Sequence, residues 1–227
     1  MLHTLIRGKF VLIRKNEEGE RNCQCTQKTH DCQLIVVTGG PGAGKTAVLE
    51  SVRKIVCSHV AILPESAGIV FGGGFWRLDS LSGRVAAQKA IYYVQREMEN
   101  LIKSEQKWGI GLCDRGSLDG LAYWPESEDS FFHTFGSNKI DEYTKYKGVI
   151  HLQSPSLEKG YNHQNPIRIE SADEAAKIDE KIHGTWRDHP NYTMIESTDS
   201  FLEKVSKAFQ KIESYLPDCC KEHFKKT

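Results

Sequence analysis

The most constraining stretch of the chain runs from Leu34 to Thr46 and reads LIVVTGGPGAGKT. Its last eight residues fit the pattern G-x-x-x-x-G-K-[S/T] without a mismatch, and the apolar run before them suits a strand that is buried on both faces. Glycines in such a loop let successive backbone amides face inward as an anion-binding nest, and the next helix adds the positive end of its dipole. The stretch therefore predicts a phosphate-binding loop between a strand and a helix.

Each residue of this loop has an expected role in holding a nucleoside triphosphate. Lys45 supplies a mobile positive charge for the β- and γ-phosphates, and Thr46 offers its hydroxyl to Mg²⁺. The cofactors expected are ATP or GTP with Mg²⁺, and the choice between the two bases stays open because it depends on backbone groups and loop shape. The whole loop is expected to contact the nucleotide: Gly39, Gly40, Pro41, Gly42, Ala43, Gly44, Lys45 and Thr46.

Apolar runs that suit strands alternate with helical periodicities along the rest of the chain. The predicted strands cover 34–37, 60–63, 109–114, 148–152 and 192–196. This alternation predicts an α/β chain with a three-layer P-loop NTPase fold, in which helices cover both faces of a parallel five-stranded sheet. The predicted organisation is an N-terminal extension with a partly polar linker over 1–32, a P-loop domain over 33–215 and a C-terminal tail over 216–227.

The longest predicted helix covers 84–104, between the second and third strands. Apolar residues recur along it at helical spacing and are expected to face the core. They are Ala87, Ile91, Val94, Met98 and Leu101.

Charge and hydropathy exclude some classes of protein. Lys plus Arg equals Asp plus Glu, at 30 each, which argues against broad electrostatic binding of nucleic acid. The chain has no apolar run of about 18 residues or more, so no transmembrane segment is expected, although peripheral contact with lipid remains open. Seven scattered cysteines are typical of a reducing compartment, which predicts a cytoplasmic location.

One group of metal-ligating side chains leaves two interpretations open. Cys23, Cys25, His30 and Cys32 are close together in the sequence, and thiolates with an imidazole can complete a tetrahedral zinc site. Their spacing matches no common zinc finger, however. Reduced thiols on a polar linker are the other interpretation.

Two carboxylates and one arginine follow predicted strands. Asp114 and Arg115 stand at the end of the third strand, and Glu65 follows the second, so all are expected at the edge where open parallel sheets bind ligands. Asp114 is expected to support Mg²⁺, Arg115 to hold a phosphate, and Glu65 to accept the proton of an acceptor hydroxyl or to bind a sugar. Purely structural roles, in a surface turn and an exposed loop, are the alternatives.

A long polar segment over 154–170 follows the fourth strand and contains Pro166. Long irregular loops in compact domains are often lids over a site. Arg168 or Lys159 would then lie over the phosphoryl group that is transferred. A surface loop with solvated charges is the alternative.

Five stretches together resemble the P-loop kinase-like ATPase family: GGPGAGKT, LPESAG, CDRGSLDGLAYWP, YKGVIHLQSP and IRIESADEAAKIDEKIHGTWRDHPNY. This family contains the nicotinamide-riboside kinase domain of NadR-type proteins and the translocation-defect proteins that bind GTP and phosphatidic acid. The resemblance covers about residues 33–215 and implies a nucleoside- or nucleotide-kinase-like fold, with a lid between the fourth strand and the following helix.

The resemblance also implies roles for individual residues. It places Asp114 and Arg115 where relatives keep a D-R pair, and Glu65 where nucleoside kinases often keep a catalytic acid. It makes Arg168 the lid arginine. It puts four residues near the nucleotide base, although one of them, Trp186, also fits the buried stripe of its helix: Trp186, Arg187, His189 and Pro190.

The chain is therefore predicted to be a small-molecule kinase that transfers the γ-phosphate of ATP·Mg²⁺ to a nucleoside-like hydroxyl. The catalytic set would be Lys45, Glu65, Asp114, Arg115 and Arg168. The alternative is a nucleotide-regulated binding module, selective for GTP, that binds lipid or protein with little turnover. Both interpretations leave the acceptor or partner unidentified.

Overall fold

The computed structural model describes residues 25, 29–155, 172–197, 200–218, 220 and 221. Within these residues the strands are β1 (Gln33–Thr38), β2 (Val60–Leu63), β3 (Ile110–Asp114), β4 (Tyr146–Leu152) and β5 (Tyr192–Ile195). They form one sheet in the order β2-β3-β1-β4-β5, and every neighbouring pair is parallel. The predicted parallel five-stranded sheet is confirmed.

Helices connect consecutive strands along the described chain. A 3₁₀ helix over Ser117–Ala122 follows β3, and a short helix over Ser66–Gly72, which the sequence did not predict, follows β2. No helix among the described residues has the length and apolarity needed to cross a membrane. The α-helices are α1 (Lys45–Arg53), α2 (Ser66–Gly72), α3 (Leu81–Glu105), α4 (Glu128–Phe135), α5 (Lys139–Thr144), α6 (Ala172–Trp186) and α7 (Phe201–Glu213).

Alternating residues of the central strand β1 belong to two different cores. Ile35 and Val37 pack with residues of α1 and α7, whereas Leu34 and Val36 pack with residues of α3, α4 and α6. Successive side chains of a strand point to opposite faces of the sheet, so β1 is buried on both sides. One core lies on each face of the sheet, between the sheet and its covering helices. This is the three-layer arrangement that the alternation of strands and helices predicted.

The buried face of α3 differs from the expected one. Leu101 is 59% exposed, whereas Gln95 and Glu99 are buried. The Gln95 amide donates to Oε1 of Glu99 at 2.7 Å, and the Tyr146 hydroxyl donates to the same oxygen at 2.8 Å. These hydrogen bonds offset the cost of burying polar groups. The buried face of α3 therefore includes polar residues, which a prediction from apolar periodicity alone leaves out.

Packing extends beyond both expected limits of the domain. Leu216 and Cys220 are buried in the core that contains α1 and α7, although they belong to the predicted tail. Before β1, Cys32 is buried and the His30 amide donates to the Gln106 carbonyl at 2.8 Å. His30, Cys32, Leu216 and Cys220 therefore belong to the packed structure.

Candidate functional site

The carboxyl ends of the parallel strands bring together most of the residues that the sequence singled out. The phosphate loop follows β1, Glu65 follows β2, and Asp114 ends β3. In the loop, Lys45 is buried and its ammonium donates to the carbonyls of Gly39 at 2.8 Å and Gly40 at 2.9 Å. Burial, and secondarily the charge of Arg115, lower the pKa of Lys45 to about 8.

The glycines of the loop are required by its backbone and by close neighbours. Gly39 has φ 136°, and a Cβ there would overlap the carbonyl oxygen of Leu152. Gly44 has φ 92°, and a Cβ there would lie 2.7 Å from the ring of Phe201. Residues with a side chain rarely adopt such φ values, so the curled loop depends on glycine at both positions.

Most backbone amides of the curled loop are available to a ligand. The Gly40 amide is used by Asp179, and the Ala43 amide donates to the Gly40 carbonyl at 3.3 Å. Within the described part of the chain, the amides of Gly42, Gly44, Lys45 and Thr46 make no hydrogen bond to the protein. Together with the amino terminus of α1, this arrangement suits a polyphosphate.

Asp179 of α6 fixes the first turn of the loop. One carboxylate oxygen accepts the Gly40 amide at 2.5 Å and contacts Nε2 of His151 at 3.0 Å, and the other accepts the Ser154 amide at 3.1 Å. Burial acts to raise the pKa of Asp179, but the hydrogen bonds from His151, Gly40 and Ser154 outweigh it, so the pKa is lowered. This carboxylate therefore ties β1, β4 and α6 together beside the loop.

Lys204 of α7 contacts the phosphate loop at a second point. Its ammonium is buried and donates to the Ala43 carbonyl at 2.9 Å and to the Gln153 carbonyl. Burial lowers its pKa to about 8, against the attraction of Asp179. Two charged side chains from the last two helices therefore position the phosphate loop.

Arg115 and Glu65 form an ion pair at the mouth of the site. Nε of Arg115 donates to Oε1 of Glu65 at 2.6 Å, and its Nη1 donates to the Gly39 carbonyl at 3.2 Å. Arg115 has φ 75°, which is uncommon for a residue with a side chain and costs roughly 1–3 kcal/mol. Hydrogen bonds stabilise this backbone conformation. In addition to the side-chain contacts, the Arg115 amide donates to the Val37 carbonyl at 3.1 Å.

Asp119 supports the turn that carries Arg115. It is buried, accepts the Thr38 hydroxyl, accepts the Gly116 amide at 2.6 Å, and lies 3.9 Å from Nη1 of Arg115. The loop after β3 is thereby fixed to the end of β1.

The residues present suit a divalent cation beside the phosphate loop. Asp114 is buried, and its Oδ1 has no hydrogen-bond partner within the described residues. Burial raises its pKa to about 6, opposed by Lys45 and reinforced by Glu65. Thr46 and Asp114 line the same cavity, and Mg²⁺ prefers hydroxyl and carboxylate oxygens of this kind. A bound cation would satisfy the orphaned oxygen.

This cavity has a volume of about 360 Å³, which is within the range of small-molecule sites. It extends from the phosphate loop past the Arg115–Glu65 pair to the amino-terminal half of α3. Its distal wall combines aromatic, apolar and hydrogen-bonding side chains, among them Phe71, Arg84, Gln88, Ile91 and Tyr123.

Two expected base contacts lie away from this cavity. Trp186 is fully buried, stacks on Tyr143 with ring centroids 5.8 Å apart, and is part of the core rather than of the cavity wall. Arg187 is on the surface, with its side chain 60% exposed and 3.9 Å from Asp188. Trp186 is seven residues beyond Asp179, or roughly 10 Å along α6, which separates this end of the helix from the loop.

The other two residues that the resemblance places near the base lie in other parts of the structure. His189 is buried, with Nε2 3.1 Å from the Tyr146 carbonyl, and Pro190 is exposed. Neither lines the cavity. Lys159, Pro166 and Arg168 lie outside the described residues, so their predicted place in a lid stays a prediction.

Sequence reasoning missed several residues that position the site. Asp179 and Lys204 each stand in the buried stripe of an amphipathic helix, where a charged residue needs a specific partner. A charged residue within an otherwise apolar stripe was the sequence signal that could have identified both. Phe201 carried no comparable signal: it is half exposed at the start of α7, and its ring lies beside Gly44 only because of the tertiary fold.

Comparisons with known proteins agree with this architecture. A family model described as "AAA domain" matches residues 34–204. No curated protein sequence matches the chain. The structure is similar to thymidylate kinase from Ehrlichia chaffeensis, with a TM-score of 0.54, 12% identity, and coverage of 80% of this chain and 98% of that one. Thymidylate kinase from Candida albicans gives a TM-score of 0.55 and 15% identity over 81% of this chain and 92% of that one.

These likenesses concern the fold, since the identities are low. They confirm the three-layer architecture of nucleotide kinases. The match to the family covers most of the chain and agrees with the resemblance carried by its motifs. The chain belongs to the AAA-domain family of P-loop, kinase-like NTPases.

Proposed function

We propose that the chain is a Mg²⁺-dependent phosphotransferase that moves the γ-phosphate of a nucleoside triphosphate to a nucleoside-like acceptor. The observation that carries this proposal is the cavity that continues from the phosphate loop past Glu65 to α3. A protein that only binds or hydrolyses a triphosphate needs no second compartment of this kind. A kinase must hold an acceptor there, in line with the terminal phosphate.

The donor half of the site would hold the triphosphate. Lys45 exchanges its two carbonyl partners for phosphate oxygens, and the free amides of the loop bind the β-phosphate. Thr46 and Asp114 would hold Mg²⁺, which neutralises charge on the β- and γ-phosphates when it is bound. Lys45 is already dehydrated by burial, so its charge acts strongly on the phosphates.

The acceptor half would activate and orient the attacking hydroxyl. The hydroxyl oxygen forms a bond to the γ-phosphorus while the bond from that phosphorus to the bridging oxygen breaks, and the hydroxyl proton passes to a carboxylate oxygen of Glu65. Arg115 keeps Glu65 in position and offers positive charge to the transferred group. Gln88 and Arg84 on the distal wall offer hydrogen bonds to a polar acceptor.

Two further roles belong to the same proposal. Phe201 replaces Trp186 as the residue that contacts the base, because its half-exposed ring lies beside Gly44 of the phosphate loop. Arg168 remains the proposed lid arginine, since it lies in the segment that joins β4 to α6 and Asp179 connects α6 to the loop. Developing charge on the transferred phosphoryl group would be its target.

An acceptor screen tests this function. Purified protein is incubated with ATP or GTP, Mg²⁺ and each member of a panel of nucleosides and nucleoside monophosphates, and phosphorylated products are identified by mass spectrometry. Wild type and the surface control Lys107→Ala should give one product series, and Lys45→Ala should give none. Intact triphosphate binding without any phosphorylated product would contradict the proposal.

One observation favours the alternative of a nucleotide-regulated binding module. Four large apolar side chains are exposed between α2 and the start of α3, and such patches often mark contacts with a membrane or a protein. They are Phe75, Trp76, Leu78 and Leu81, and Trp76 is 78% exposed. Flotation with anionic vesicles in the presence of GTP but not GDP, abolished by Trp76→Ser, would support this alternative. Absence of flotation in both states would leave the kinase as the supported function.

A further inference from the structure

A second group of reactive side chains lies at the amino-terminal ends of the strands, opposite the phosphate loop. Cys57 and His59 belong to the turn between α1 and β2, and Cys220 belongs to the segment after α7. Cys25 and His30 precede β1. A strand of six residues such as β1 spans roughly 20 Å, so this group is remote from the nucleotide site.

The potential ligand atoms of this group are close together. Those of Cys57, His59 and Cys220 all lie within 4.8 Å of one another, and so do those of Cys25, His30 and His59. His59 therefore belongs to both sets. Cys57 and Cys220 are buried, and so is His30.

The distance between the thiol of Cys57 and the imidazole of His59 suits two ligands of one tetrahedral metal, whereas the contacting sulfur atoms of Cys57 and Cys220 would have to move apart to bind it. Sγ of Cys57 lies 3.7 Å from Nδ1 of His59, and Sγ of Cys25 lies 3.9 Å from Nε2 of His30. Thiolate and imidazole ligands of tetrahedral zinc are roughly 3.5–3.8 Å from one another, as follows from Zn–S of about 2.3 Å and Zn–N of about 2.0 Å. Two thiolates with two imidazoles, or three thiolates with one, are ligand sets that zinc prefers.

We propose that Cys57, His59 and Cys220 bind a structural Zn²⁺, with the fourth ligand supplied by the contacting pair Cys25 and His30. This set replaces the one suggested by proximity in the sequence. Cys32, which belonged to that earlier set, is buried in the core beside the sheet, and Cys23 lies outside the described residues.

A disulfide is the competing interpretation, because the sulfur atoms of Cys57 and Cys220 are in direct contact and their Cα atoms are 5.8 Å apart. A disulfide would use only these two residues. It would not account for an imidazole from the same turn beside them, or for a second thiol and imidazole that gather around that imidazole. A metal would give Cys57, His59, Cys220 and one member of the Cys25–His30 pair a common role.

The zinc would fasten three distant parts of the chain. The approach to β1, the α1–β2 turn and the C-terminal segment meet there, and Cys57 and Cys220 are 163 positions apart in sequence. Other contacts accompany this junction: the rings of His30 and His59 have centroids 4.4 Å apart, and the Gly109 amide donates to the His59 carbonyl at 2.9 Å. A closed four-ligand site would stabilise the fold and leave no position for catalysis.

Metal analysis of the full chain tests the proposal. Protein purified in reductant, without chelator, should contain about one zinc per chain, as a single four-ligand site requires. Cys57→Ser, Cys220→Ser and His59→Gln should lose most of it, and one of Cys25→Ser and His30→Gln should do the same and so identify the fourth ligand. Cys113→Ala is the matched control, because Cys113 is a buried thiol of β3 outside the cluster, and it should keep the metal.

Measurements on wild type keep the test decisive if a variant does not fold. Exchange of zinc for Co²⁺ should give the thiolate charge-transfer and tetrahedral d–d absorption bands, and a chelator should lower the melting temperature until Zn²⁺ is restored. Wild type that takes up no stoichiometric zinc or cobalt in reductant would overturn the proposal, and so would zinc retained by all ligand variants. Peptide mapping that finds Cys57 joined to Cys220 in the metal-free protein would then establish the disulfide.

Discussion

A carboxylate oxygen of Asp179 accepts the backbone amide of Gly40 at 2.5 Å, which links α6 directly to the phosphate loop. The segment that precedes α6 is the one predicted to act as a lid. A movement of α6 upon nucleotide binding would therefore reach the loop through this hydrogen bond, and the Ser154 hydroxyl, which donates to the Pro41 carbonyl at 3.1 Å, contacts the loop as well. The same carboxylate binds the Ser154 amide at the end of β4, so it fixes both ends of this connection.

Asp179→Asn should weaken triphosphate binding about 10-fold and lower the free energy of unfolding by about 1–3 kcal/mol, because it removes the charge from three buried hydrogen bonds. Calorimetry and denaturant unfolding measure these effects. Asp173→Asn, at the exposed start of α6, is the control and should behave as wild type. Unchanged affinity in Asp179→Asn would show that the loop is held without this contact.

The stability of wild type and of Asp179→Asn should depend on pH in different ways. The pKa of Asp179 is lowered in the folded state, so its contribution to stability is present above the unfolded pKa and is lost as the pH falls through the folded pKa. Acid unfolding curves should therefore be shallower for Asp179→Asn than for wild type. Parallel curves would contradict this account of the carboxylate.

Asp114→Asn should stabilise the ligand-free protein near neutral pH. Burial raises the pKa of Asp114 from 3.8 to about 6, so the folded state loses about 3 kcal/mol from this group as the pH rises from about 4 to 6. The variant should lack this loss and also lose the Mg²⁺ dependence of triphosphate binding. The free energy of unfolding, measured against pH with and without Mg²⁺, checks both. A variant that is less stable than wild type at pH 7 would contradict the conclusion that the charged Asp114 carboxylate destabilises the ligand-free protein.

Glu65→Gln should reduce phosphoryl transfer by about 10²–10⁴-fold while triphosphate affinity changes little, since the amide cannot accept the proton of the acceptor. The amide oxygen can still accept the hydrogen bond from Arg115, so the mouth of the site should keep its shape. Single-turnover kinetics separate the chemical step from binding. Full activity of the variant would assign the carboxylate to structure alone.

Phe201→Ala and Trp186→Phe should have opposite effects. Loss of the half-exposed ring beside Gly44 should weaken nucleotide binding by about 1–2 kcal/mol and leave stability nearly unchanged. Trp186→Phe removes buried volume from the core and should cost about 1–3 kcal/mol of stability without changing nucleotide affinity. Calorimetry and thermal unfolding of both variants make the comparison. Weakened nucleotide binding in Trp186→Phe alone would restore the earlier interpretation.

Local sequence patterns predicted much of this structure. The run from Leu34 to Thr46 identified the strand, the curled loop and the helix, because glycine backbone freedom and a lysine at one fixed place have few other uses together. Apolar runs located every strand of the described sheet, and the run is most continuous in β1, which is buried on both faces. The end-of-strand positions of Glu65 and Asp114 followed from the parallel order.

Other features depended on contacts between distant residues. Leu101 lies on the exposed side of α3 because hydrogen bonds allow Gln95 and Glu99 to be buried instead. Trp186 satisfied both a core stripe and a family motif, and only packing showed which applied. The meeting of Cys57, His59 and Cys220 joins parts of the chain that no spacing pattern connects.

The sequence by itself determined the phosphate loop, the parallel sheet and the family, because these depend on backbone geometry and on apolar periods within short segments. The tertiary structure alone decided which charged side chains hold the loop, where the cavity extends and which cysteines meet. Those outcomes require segments far apart in sequence to be packed side by side, and side-chain contacts across such separations leave no periodic trace in the chain.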